Sequence, residues 1–158
     1  MYALLIGIND YPHIVGGNLH GSVADVLRVQ EFLVNKLHVP KARVRTLLNE
    51  YATQDGIMSR IKGLADLDTI NMGDPILIFY AGHGGTLPKP PESSWAVNNS
   101  TIECLVAHDA RYNDTEETWV EGVVPDLVFA SLLHRLAEVK GDNITVILDC
   151  CHSGSGAR

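Results

Sequence analysis

The chain has 158 residues, 46% of them hydrophobic and 20% charged, the mixture of one globular domain with its own core. A formal net charge of −7 and the lack of any basic stripe exclude a nucleic-acid partner. No apolar run approaches the roughly 20 residues that a membrane span requires. Tyr2-Ala3-Leu4-Leu5-Ile6-Gly7-Ile8 reads as an opening strand, and Gly16-Gly17-Asn18 marks a loop. Ser22 is placed to N-cap a helix reaching about Leu37, with Val26, Val29 or Gln30, Leu33 and Leu37 on its buried side, and Pro40 stops it. Val44 to Leu48 reads as a second strand. Thr53 to Leu67 reads as a second helix, with Ile57, Ile61 and Leu64 inward.

Pro75-Ile76-Leu77-Ile78-Phe79-Tyr80 is an apolar run that predicts a strand buried on both faces, and it leads straight into Ala81-Gly82-His83-Gly84-Gly85. Thr86 to Ser100 is a Pro/Ser/Asn-rich loop holding Trp95. Glu103 to Ala107 reads as a fourth strand, and Tyr112 to Gly122 as an acidic loop holding Trp119. Pro125 opens a helix to Val139 with Leu127, Leu132, Leu133 and Leu136 inward. Asn143 to Leu148 predicts a last strand, again buried on both faces, leading into Asp149-Cys150-Cys151-His152-Ser153-Gly154. The alternation implies one α/β domain over residues 1–158, a three-layer arrangement with a mostly parallel sheet and helices on both faces.

If the third and last strands lie parallel, an imidazole and a thiol emerge at one carboxyl edge, where open α/β sheets carry their sites. Strand alternation puts Cys150 on the face of Leu148, packed as a small hydrophobe, and Cys151 on the face of Asp149, exposed at the strand end. Alone, a cysteine is most often inert and buried, and a loop histidine most often serves a turn. Two such residues at two strand ends form a nucleophile and a base. Between Gly82 and Gly84, His83 lies where backbone can approach a substrate, and its role is to take the thiol proton and protonate the leaving amine. A neighbouring imidazolium raises the thiolate fraction. The Gly84 and Cys151 amides are candidates for an oxyanion hole, worth about 3 kcal/mol per donor.

The Gly82-His83-Gly84 and Asp149-Cys150-Cys151-His152-Ser153-Gly154 motifs resemble those of the large catalytic subunit of metacaspases, in the caspase-like cysteine peptidase clan. Leu19-His20-Gly21-Ser22-Val23-Ala24-Asp25 resembles the family's specificity-pocket loop and helix start, and Leu4-Leu5-Ile6-Gly7-Ile8-Asn9 its opening strand. The resemblance covers nearly the whole chain. It implies a caspase-like sheet, a His83–Cys151 catalytic dyad and cleavage of peptide bonds through a thioester. It also implies an acidic pocket for Arg or Lys, built from Asp25 and Asp149, with Ser22 as a wall and Ala81 where the family commonly has serine. Caspases that cleave after Asp carry arginine where this chain has Leu19 and glutamine where it has Asp149. Two carboxylates repel a substrate aspartate and accept a guanidinium bidentately. Read from the residues alone, Asp25 is equally a first-turn acid favoured by the helix dipole.

Many metacaspases need calcium. Ungapped matching puts Ile102 and Pro125 at two of the family's acidic positions and leaves Asp126, with Asp114, Glu116 and Glu117 in a loop that reads as solvated. Such cations take six or more oxygens, so calcium activation stays open and no metal residue is assigned. His13, His20, His38, His108 and His134 show no metal-ligand spacing. The family continues with a small subunit beside the last strand, expected here as a second chain or a continuation, and without it that strand lies at an open edge. Arg158 fits self-processing by a basic-specific peptidase, and an arbitrary boundary fits equally. Expected partners are peptides with a basic residue at the cleaved position. Three cysteines, two of them adjacent, fit a reducing compartment, and with no charged leader before the first strand the expectation is cytoplasmic. Two rival readings are a non-catalytic caspase-like interaction module and a clan relative with Asn or Asp specificity.

Overall fold

In chain order the elements are β1 (Tyr2–Gly7), α1 (Ser22–Glu31), β2 (Val44–Leu48), α2 (Gln54–Leu64), β3 (Ile76–Ala81), β4 (Gly84–Pro88), β5 (Thr101–Asn113), β6 (Thr118–Pro125), α3 (Asp126–Lys140) and β7 (Ile144–Asp149). They come from a computed structural model that describes residues 1–89 and 101–151. Most of the expected Pro-rich loop, with Trp95, and the tail from His152 through Ser153 and Gly154 to Arg158 lie outside the described residues.

β2, β1, β3 and β7 form a parallel sheet in that order. β1 and β3 are central and buried along their whole length, which is why their sequences are continuously apolar. Leu4, Ile6, Ile78 and Tyr80 pack against Ile57, Ile61 and Leu64 of α2 and Phe129 and Leu136 of α3. Ala3, Leu5, Leu77 and Phe79 pack against Val26 and Leu33 on the opposite face. Each large aliphatic side chain so buried contributes about 1.5–3 kcal/mol. The three-layer α/β expectation holds.

Several local expectations do not. β7 lies at an edge of the parallel sheet among the described residues, as expected, but it is not buried on both faces: Ile144, Val146 and Leu148 pack on the α2/α3 core, while Thr145, Ile147 (47% exposed) and Asp149 face outward. α1 packs over β1 to β3, so among the described residues the outer face of β7 is left exposed, a consequence of strand order that local sequence does not encode. The acidic stretch is not a loop. β5 and β6 pair as a long antiparallel hairpin flanked by β4, and Asn113 Oδ1 closes the turn by accepting from Thr115 and Glu116 N–H at 2.9 and 3.2 Å. β4 likewise takes Thr86 to Pro88 out of the expected loop.

Ser22 is not the N-cap of α1. That position is Gly21, and Asn9 Oδ1 accepts from Val23 N–H at 3.2 Å instead. α1 ends in a wide turn in which Leu37 N–H donates to Phe32 C=O at 3.2 Å, which rotates Leu37 off the buried stripe to 51% exposure. Val39 takes its place in the core. Thr53 caps α2 as a side-chain acceptor from Gly56 N–H at 3.0 Å, and the helix stops at Leu64 rather than Leu67. In α3 the fully inward residues are Phe129 and Leu136, with Leu132 and Leu133 at the margin and Leu127 half-buried.

Burial pushes the Cys104 thiol from 9.0 up to about 12, and the Tyr11 hydroxyl from 10.0 up to about 12. Both groups resist ionising when folded, so the unfolded chain releases these protons first. Their contribution to stability is therefore full below about pH 9 and is lost progressively as pH rises toward 12. Denaturant midpoints are expected to fall steadily from pH 9 upward, with a shallower slope in Cys104→Ala, where one of the contributing groups is gone.

Candidate active site

The last row of the sheet aligns Leu48, Gly7, Ala81 and Asp149 across its four strands. Ile8 N–H donates to Ala81 C=O at 3.0 Å and Gly82 N–H to Asp149 C=O at 3.3 Å. The segments that follow β1, β3 and β7 therefore leave the carboxyl edge side by side.

The loop after β1 is wired by side-chain amides. Asn49 Oδ1 accepts from Asn9 N–H at 2.9 Å, and Asn18 Oδ1 from Tyr11 N–H at 2.8 Å. This brings the buried Gly17 to His83, whose Nε2 lies 2.6 Å from Gly17 C=O. A carbonyl oxygen can only accept, so Nε2 carries the hydrogen, and in the neutral ring the lone pair is then on Nδ1. The ring also lies 4.6 Å from the Tyr11 ring, tilted by 50°. Gly17 was legible in sequence only as part of a loop, because the group it contributes is a backbone carbonyl.

On the other side, the chain leaving β7 runs against Gly84. A Cβ on Gly84 would collide with the Cys151 carbonyl oxygen and stand 3.4 Å from Cys150 Sγ. Glycine is required here by close backbone approach. The backbone that follows His83 thus runs against the backbone of Cys151 at Gly84. His83 C=O accepts from Val106 N–H at 3.0 Å, which makes Gly84 and Leu105 a non-hydrogen-bonded pair and directs the Gly84 N–H away from β5. Cys151 is exposed. Cys150 is half-buried, and burial, with Cys151, Asp149 and Glu103 adding to it, pushes its thiol up to about 11. At neutral pH, then, Cys150 stays protonated.

The acidic residues lie on the α1 side of the sheet. Asp149 is exposed and follows Ala81 in the last row, while Ser22, 8% exposed, packs over Gly7 at the start of α1. Asp25, one turn on, pairs with Arg28 at 3.0 Å, its own side chain 39% exposed. The structure thus places Ser22, Asp25, Ala81 and Asp149 on one face at the carboxyl edge. Among the described residues no three His, Cys, Asp or Glu side chains converge as a metal cluster. Asp126 Oδ1 accepts from its own helix, from Leu127 N–H at 2.7 Å, and Asp114, Glu116 and Glu117 are exposed at the β5–β6 turn. Trp119, in β6, lies over Gly85 and edge-on to Tyr112, with ring centroids 4.9 Å apart.

A family model described as "Metacaspase, peptidase C14 domain" matches residues 2–157. The chain is similar to metacaspase-7 of Arabidopsis thaliana, 32% identical over 155 residues, covering 96% of this chain and 34% of that protein. It is similar to Arabidopsis thaliana metacaspase-4 at 31% identity, covering 96% and 33%. To metacaspase-3 of Trypanosoma cruzi it is 28% identical, covering 97% and 40%. The chain therefore spans roughly a third of the length of these curated relatives. A solved protein from Geobacter sulfurreducens shares the fold, with a TM-score of 0.67 at 23% identity, covering 98% of this chain and 51% of that one.

Proposed function

Since the chain belongs to the metacaspase family of C14 peptidases, we propose that it carries the dyad of a cysteine endopeptidase that cleaves peptide bonds after Arg or Lys. The observation that supports this most is the packing of the Cys151 main chain against Gly84, the residue next to His83, whose Nε2–H is tied to Gly17. His83 Nδ1 takes the proton from Cys151 Sγ as sulfur attacks the scissile carbonyl. The Gly84 and Cys151 N–H groups hold the resulting oxyanion. Collapse of the tetrahedral intermediate breaks the C–N bond, and the imidazolium returns the proton to the departing amine. His83 then deprotonates a water molecule that attacks the thioester, and the thiol leaves with that proton.

Asp149 and Asp25 hold the basic side chain, with Ser22 and Ala81 as small walls. The Asp25–Arg28 pair is exposed and worth only about 0.3–0.5 kcal/mol, so a substrate guanidinium displaces Arg28 readily. A further segment, continuous or separate, adds strands beside the open edge of β7. Processing of its own chain after a basic residue follows from the same preference, and a reducing cytoplasmic setting suits the free thiols.

Fluorogenic peptides carrying Arg, Lys, Asn or Asp at the cleaved position test the reading in the full-length protein. Turnover is expected on Arg and Lys and lost in Cys151→Ala. Turnover on Asn or Asp instead favours a clan relative, and none on any peptide favours an interaction module. Gly84→Ala is expected to cost about 100-fold or more in kcat, because the methyl displaces the Cys151 backbone. Gly63→Ala, where an added methyl on α2 meets open space, is the control, expected to leave kcat unchanged and to gain about 0.5–1 kcal/mol of stability.

A further inference from the structure

Two tyrosines meet beneath His83, and both are buried to 1% exposure or less. His83 N–H donates to the Tyr11 hydroxyl at 2.8 Å. The Tyr80 hydroxyl lies 2.7 Å from His83 C=O and 2.8 Å from Val106 C=O, and the two hydroxyls bond to each other. Donor counting sets the directions. Two carbonyls compete for the single Tyr80 hydrogen, so Tyr80 donates to them, and the hydrogen between the hydroxyls comes from Tyr11. The result is a closed circuit from His83 N–H through Tyr11 and Tyr80 back to His83 C=O.

Gly82 completes the arrangement. A Cβ there would stand 2.7 Å from both tyrosine hydroxyls, so only glycine lets the chain pass over them. Resting on the peptidase reading above, we propose that Tyr11 and Tyr80 are positioning residues that clamp both backbone groups of His83 and so fix its imidazole between Gly17 and Cys151. A tether at Nε2 alone allows the ring to swing with the loop. Holding the backbone as well leaves Nδ1 one direction. Burial keeps the Tyr11 proton in place up to about pH 12 and pushes the Tyr80 hydroxyl well above its ordinary value, so the circuit persists across the range in which a thiol peptidase works.

Tyr11→Phe keeps the ring against His83 and removes only the hydroxyl, and Tyr80→Phe opens the circuit at its other member. Each variant in the full-length protein is expected to lower kcat about 10- to 100-fold with KM and substrate preference unchanged. Their fold is checked by circular dichroism. The imidazole Nε2–H proton, observed by NMR, is expected to be sharp in the wild type and to broaden or shift in both variants. Hydroxyl protons of Tyr11 and Tyr80 that exchange slowly, with cross-peaks to the His83 amide, are expected in the wild type and need no variant. Wild-type kcat in both folded variants, or rapidly exchanging hydroxyls in the wild type, would overturn the clamp. If the wild type cleaves no peptide yet the His83 resonances move in the variants, the clamp stands and the peptidase reading falls.

Discussion

Cys151→Ala is expected to lower kcat/KM on Arg-containing peptides by at least about 10⁴-fold, and His83→Ala by a comparable factor, because a nucleophile and its base act as a unit. The double variant is then hardly worse than either single one, and steady-state kinetics on all three reads this non-additivity directly. Cys150→Ala is the discriminating control. Its thiol is half-buried, faces the α2/α3 core and is held protonated by burial, so its loss is expected to leave kcat within a few fold. Should Cys150→Ala be the inactive variant, the nucleophile has been assigned to the wrong member of the pair.

Neutralising the proposed acidic pocket is the second large expected effect. Asp149→Asn is expected to lower kcat/KM for Arg peptides by about 10²- to 10³-fold, the scale of losing one partner of a desolvated charge pair. Asp25→Asn acts in the same direction. Lys peptides are expected to lose less, since an ammonium gives up a point contact where a guanidinium gives up a bidentate one. Neither change should much alter thermal stability: Asp149 is exposed, and the Asp25–Arg28 pair is a weak surface contact. Kinetics on matched Arg, Lys and Asn peptides check the prediction. An unchanged Arg-to-Asn ratio in both variants would remove these carboxylates from the pocket.

The central strands were legible because burial on both faces leaves an unbroken apolar run, as in Ile76 to Tyr80. β7 carries a similar run yet is half-exposed, since being an edge depends on which strands lie beside it and not on its own residues. The β5–β6 hairpin was hidden by its exposed, polar residues, which read as loop although Asn113 closes a tight turn there. The placement of His83, Gly84 and Cys151 at one edge followed from two strands ending in glycine-flanked polar motifs. The cap of α1 was missed because its acceptor, Asn9, is remote in sequence. Gly17 was missed as a partner of His83 because a carbonyl leaves no side-chain signature. Tyr11 and Tyr80 did leave one, since a buried tyrosine hydroxyl demands a partner, but the partner is again backbone.

The most direct measurement is the rate at which iodoacetamide alkylates each cysteine at neutral pH, resolved by peptide mass spectrometry in the wild type and in His83→Ala. A thiol served by an adjacent imidazole reacts through its thiolate, so Cys151 is expected to be modified at least about tenfold faster in the wild type than in the variant, with Cys104 and Cys150 slow in both. Equal rates at Cys151 in the two proteins would mean that the ring at 83 does not act on that sulfur.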